Sequence, residues 1–165
     1  MSDLRVFWAF VPFAILVLLG KRLPSSVWSA ALGAALAGVA AGAASLGVLF
    51  STMGFFGINL DPGLLLVLVV VALMLMVHWA MLSAESSVAN YIIGSKASYS
   101  SPHREYFALA GGLLGHALWW YIAYRYMNPS ILRDEFSSLF VEMIIPSALL
   151  AAPGAALGAA FAPKA

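Results

Sequence analysis

Between Glu105 and Arg125 the chain runs about 20 residues without a formal charge, YFALAGGLLGHALWWYIAY, the length at which a helix crosses a hydrocarbon layer. Inside lipid a segment of this kind can satisfy its own backbone only as a helix or in a closed barrel. Composition extends the constraint to the whole molecule, since 63% of the residues are hydrophobic and 9% are charged, against about a quarter charged in soluble domains. The apolar runs are continuous and do not alternate, which argues against a barrel. The expectation is an all-α, polytopic helical membrane protein forming one domain over residues 1–165. Its spans, about five by length, fall at 6–20, 26–50, 63–83, 106–126 and 136–162. A net charge of +1 spread along the chain leaves no basic surface for nucleic acid. With no cysteine, disulfides, thiol redox chemistry and thiolate metal sites are excluded.

Read in order, the first run (Val6 to Gly20) is closed by Lys21 and Arg22. A basic pair after the apolar stretch indicates a retained span, not a signal peptide, and Pro12 is expected to bend it. In the second run Ala30, Ala34, Gly38 and Gly42 recur every four residues, beside a parallel row of Ser29, Gly33, Ala37, Ala41 and Ser45. Small residues at that spacing let helices approach closely, so a helix seam is expected, with a partner in this chain or another. The third run carries His78 and is followed by a serine-rich connection that either extends the helix or forms a surface helix ending at Gly94. In the fifth, Pro146 and Pro153 predict a kinked or discontinuous helix. Five spans put the termini on opposite sides. Lys21, Arg22, Lys96, Arg104 and Lys164 then oppose Arg5, Arg125 and Arg133, which places the N-terminus outside and the C-terminus inside.

The candidate chemistry centres on histidines. His78 and His116 on adjacent antiparallel helices invite a haem b or quinone site. Counted from a span end at Ser83, however, their depths differ by roughly 9 Å. His116 has Gly112 and Trp120 one turn away and a Gly111–Gly115 step on the adjoining face, which suits close helix packing. Two readings stay open: a proton-carrying or ligand-binding histidine in a cavity, or a satisfied histidine at a helix crossing. Trp119, Trp120, Tyr121, Tyr124 and Tyr126 read as an interfacial belt. Glu142, four residues before Pro146, is a candidate ion or proton site or else an interfacial partner of Arg125 or Arg133, and Glu85 is expected at the surface. No catalytic motif or metal-ligand cluster appears, so an enzyme is not expected.

The run VEMIIPSALLAAPGAALGAAF, preceded by ALWWYIAYRYMNPSILRDEF, resembles the end of the MreD family of rod-shape-determining membrane proteins, and SSVANYIIGSK is similar to that family's span-ending pattern. The first half departs from it, because GAALAGVAAGAASLG lacks the family's aspartate after a glycine-rich run and there is one span fewer. The resemblance implies a non-catalytic scaffold in the bacterial inner membrane that contacts other membrane subunits of wall elongation, and it assigns no site residue. Two functions are therefore expected: a scaffold subunit held by the small-residue face, or a redox or transport subunit using His116 with His78 or Glu142.

Overall fold

The computed structural model describes residues 2–55, 64–99, 101–127 and 140–163, which form five helices and, among those residues, no strand. These are α1 (Ser2–Gly20), α2 (Ser25–Phe55), α3 (Leu64–Lys96), α4 (Arg104–Ile122) and α5 (Ile145–Phe161). A π-helical turn, Ala123–Met127, prolongs α4, and another, Phe140–Ile144, leads into α5. Segments Ser25–Ser51, Val71–Lys96 and Phe140–Phe161 are long and apolar enough to cross a membrane. Large apolar residues point outward from the bundle. Phe10, Leu36, Val48, Leu75, Trp79 and Leu114 are 64–74% exposed, while alanine and glycine fill much of the interior.

The third helix does not stop near Ser83. It continues through the polar stretch to Lys96, and Gly94 lies inside it. Local propensity does not favour Ser86, Ser87 and Asn90 in a helix. The decisive factor is packing: Glu85, Ser86, Ala89 and Ile93 lie along one face and are buried against the bundle. Gly94 serves a different end, because a Cβ there would meet the Arg104 guanidinium. Arg104 is itself buried and donates from Nη2 to the Tyr99 carbonyl at 2.9 Å. In α5 the π turn comes immediately before Pro146, the residue that cannot supply an N–H, and Pro153 is absorbed inside the helix. Pro12 is likewise inside α1 and fully buried.

Three side-chain hydrogen bonds collect the helix ends into one basic end of the bundle. Lys96 Nζ donates to Ser29 Oγ (2.9 Å), Tyr99 Oη to the Ala162 carbonyl (3.2 Å) and Ser101 Oγ to the Pro163 carbonyl (2.7 Å). The interior has two apolar layers. Toward the basic end lies an alanine layer with Ala30, Ala34, Ala89, Ala108, Ala152 and Ala155. Toward the far end lies a layer of larger groups with Leu46, Met74, Met81, Trp119, Met143 and Ile144.

α5 is the central helix and packs on all four others, most extensively on α4. At the α4–α5 crossing the two backbones touch. A Cβ on Gly111 would strike the Gly154 carbonyl and one on Gly154 the Gly111 carbonyl, while Gly115 faces Leu150 and Ala151 and Gly158 faces Phe107. Gly154 and Gly158 thus form a second GxxxG step opposite Gly111 and Gly115, and the two steps interlock. Gly115→Leu should therefore lower stability in detergent by about 3 kcal/mol, because neither backbone can yield. Gly47→Leu should leave the thermal midpoint unchanged or slightly raised, since nothing lies within 4 Å of a Cβ there. Thermal unfolding followed by circular dichroism compares the two.

Candidate functional site

Between the two apolar layers lies a buried polar group drawn from three helices. The α4–α5 crossing generates half of it. With Gly115 seated on Ala151, the next residue of α4, His116, meets the residue one turn earlier in α5, Ser147. His116 Nδ1 lies 2.6 Å from Ser147 Oγ. The other half comes from α3. Glu85 leans toward the start of its helix and His116 toward the start of the antiparallel α4, so the two side chains converge. Their Nε2 to Oε2 distance is 3.0 Å. His116 is 4% exposed and Glu85 and Ser147 are 0% exposed.

Measured from the basic end, the members share a depth. Glu85 stands eleven positions before Lys96, His116 twelve after Arg104, Ser147 fourteen before Phe161 and Gly38 thirteen after Ser25, or about 17–21 Å at 1.5 Å per residue. Gly38 closes the group from α2. A Cβ there would overlap Glu85 Oε1, and Oε1 has no hydrogen-bond partner.

His78 joins from α3. Gly112 meets Leu82, and one turn onward in α4 and one turn back in α3 bring the His116 and His78 rings into contact. Their rings meet edge to face, with centroids 5.4 Å apart at 78°, and Trp120 lies 5.1 Å from His78 on its other side. The depth difference expected between the histidines does not keep their rings apart. His78 Nδ1 lies 2.8 Å from the Met74 carbonyl. A carbonyl only accepts, so Nδ1 carries the hydrogen and Nε2, buried without a partner, is left as an acceptor when the ring is neutral.

This geometry redistributes the sequence candidates. Glu85 is buried at the centre and not at the surface. Trp119 is fully buried in the larger-residue layer and Trp120 packs on His78, so neither forms a belt, whereas Tyr121, Tyr124 and Tyr126 are exposed. Ala30, Ala34, Gly38 and Gly42 are buried within this chain. Gly38 meets Glu85, and Gly42 meets Ile144 and Met81, so the seam is internal. Glu142 is half-buried on the π turn before α5, Arg125 is exposed, and Arg133 lies outside the described residues. For a haem the fit is poor: the two imidazoles touch, and both nitrogens of His116 are already engaged. Among the described residues no group of three His, Cys, Asp or Glu is placed to hold a metal. Ser147 was not singled out from sequence, although it is the one hydroxyl between Leu139 and Ala162.

No known protein family, curated protein or solved structure matches the chain.

Removing one member of a buried pair leaves the other desolvated and unpartnered, at a typical cost of about 3–5 kcal/mol. Glu85→Leu should accordingly destabilise the protein strongly. The double variant Glu85→Leu/His116→Leu should lose less than the sum of the two single changes, by at least about 0.5 kcal/mol. Strict additivity in denaturant or thermal unfolding would disprove the coupling.

Proposed function

We propose that this chain is an integral membrane protein that binds and releases a proton at the Glu85–His116 pair, acting as a proton-translocating or proton-coupled subunit. Ionisable groups at mid-membrane depth are expensive to hold and are by default functional. The observation that carries the reading is the hydroxyl of Ser147 on His116 Nδ1. With Glu85 ionised and His116 neutral, Nε2–H donates to Oε2 and the Ser147 hydroxyl donates to Nδ1. One more proton gives either an imidazolium beside a carboxylate or a carboxylic acid donating to Nε2. In both cases Nδ1–H now donates to Ser147, whose oxygen accepts. A hydroxyl serves equally as donor or acceptor, so the site keeps both hydrogen bonds while its net charge changes from −1 to 0. A purely structural clamp needs only one of these states.

The positive-inside bias puts the end carrying Lys21, Arg22, Lys96 and Arg104 in the cytoplasm of a bacterial inner membrane, with the N-terminus outside and the C-terminus inside. The purified chain, reconstituted in vesicles containing a pH-sensitive dye and driven by a potassium diffusion potential, should acidify the lumen faster than protein-free vesicles. Glu85→Gln and Ser147→Ala should fall toward the protein-free rate. Flux equal to that of empty vesicles, or flux untouched by Glu85→Gln, would overturn the reading.

A second reading, an assembly subunit of the wall-elongation machinery, is supported by one observation besides the MreD-like resemblance. The outer side of the α4–α5 crossing is a groove of about 370 Å³ floored by Gly111, Gly115, Gly154 and Gly158 and flanked by Leu114 and Leu118. A glycine floor suits the close approach of a further membrane helix. Leu114→Trp, filling that groove, should remove co-purifying membrane subunits under mild detergent while leaving the proton site intact.

A further inference from the structure

We infer that His78 is the relay through which the proton of the Glu85–His116 pair exchanges with water, and that it does so from the end of the bundle opposite Lys96 and Arg104. The inference rests on the proton reading above and adds a route and a side to it. Three observations carry it.

The first is exposure. Glu85, His116 and Ser147 are sealed, whereas His78, whose ring touches His116, is half-buried and lies on the same helix face as the exposed Leu75. It is the titratable group in contact with the pair whose side chain is partly accessible, with its Nε2 enclosed. The second is its hydrogen bonding. Donation from Nδ1 to the Met74 carbonyl leaves Nε2 a bare acceptor inside the protein, which is the atom a relay needs. The third is the contrast between the two layers. From the pair toward the basic end the interior is alanine on four helices, with backbones in close approach. Ser86, the polar residue next to Glu85 on that side, donates back to the Ser83 carbonyl of its own helix. Toward the far end the packing includes Met74, Met81 and Met143, flexible side chains that can move aside, alongside Leu46, Ile144 and Trp119.

The surroundings of each group are compatible with transfer in both directions. Glu85 is faced by His116 from α4, Ser147 by the same histidine, and Gly38 closes the carboxylate from α2. His78 is faced by His116 and Trp120, both from α4. A proton taken up at His78 Nε2 makes that ring an imidazolium. Turning the ring toward His116 breaks the His78 Nε2–H bond and forms one at His116 Nδ1, where the Ser147 hydroxyl changes from donor to acceptor; His78 returns to its neutral form, and the pair goes from net charge −1 to 0.

The test uses the full chain, labelled with ¹⁵N-histidine, in nanodiscs of phosphatidylethanolamine and phosphatidylglycerol. Solvent exchange of the His116 ring N–H is read by nuclear magnetic resonance. His78→Phe should slow it about 100-fold, the lower end of what a positioned proton-transfer group contributes, with the His116 ring nitrogen shifts unchanged. His78→Gln, which keeps a donor for Met74 and cannot carry a proton, should do the same and covers the case in which phenylalanine disturbs folding. Ser86→Ala should leave the rate as it is. Because the chain has no cysteine, single-cysteine variants report the side: Met74→Cys should react with a charged thiol reagent and Ala89→Cys should not. Unchanged exchange in both His78 variants, equal slowing by Ser86→Ala, or the reverse labelling pattern would overturn the inference. Slowed exchange in a protein that carries no proton flux would overturn only the functional reading.

Discussion

Gly111 and Gly115 on α4 lie against Gly154 and Ala151 on α5 with no side chain between the two backbones, and the pairing of His116 with Ser147 follows from that contact. In lipid, helices gain nothing from hiding apolar surface, so close approach must come from dispersion and backbone contact, which glycine permits. The contact fixes rotation and translation together. Slide α4 by one turn and Gly115 no longer faces Ala151, His116 loses Ser147, and Glu85 is left among alanines. A polar layer of this kind is tolerable only where register is unambiguous, because a half-satisfied network is worse than an apolar core. Here the glycine crossing supplies the register and the hydrogen bonds exploit it.

The same contact explains why the interior is divided. On the basic side of the polar layer, alanine on α2, α3, α4 and α5 continues the close packing begun by the glycines. On the far side, methionine, leucine, isoleucine and tryptophan occupy wider spaces between the helices. The outward faces hold large aliphatic and aromatic groups, the reverse of a soluble bundle and what a lipid solvent selects. Trp119 shows the consequence for individual residues: in a helix with neighbours on one side only, an aromatic cluster at the end of the run is split, Trp119 inward and Tyr121 outward.

Much of this was legible in the sequence, and the misses have physical causes. Helical class, small-residue faces and His116 follow from continuous apolar runs and from the spacing of alanine and glycine, which are one-dimensional signals. Sequence places Glu85 at the surface because hydropathy averages over a helix, while burial depends on one face. The serines around it lower the average, although Ala89 and Ile93 share its buried face. The depth mismatch of the histidines misleads because helix ends need not be level: counted from Lys96 it is about 9 Å in the opposite sense, yet the two rings meet. Ser147 was invisible for another reason: in an alanine-rich helix a serine reads as one more small residue, and only the partner across the crossing reveals its hydroxyl.

The arrangement also constrains where motion can occur. Both carboxylate oxygens of Glu85 are enclosed, one by His116 and one by Gly38. Opening the alanine side would part the α4–α5 backbone contact at Gly111, Gly154 and Gly158. Opening the far side needs rotamer changes in methionines and a turn of His78, held by a single hydrogen bond to its own helix. The π turns preceding α5 and following α4 lie at that same end, where an irregular hydrogen-bond ladder resists bending least. Rigid crossing, polar layer and softer end are therefore consecutive sections of one bundle, and the gradient between them follows from side-chain size alone.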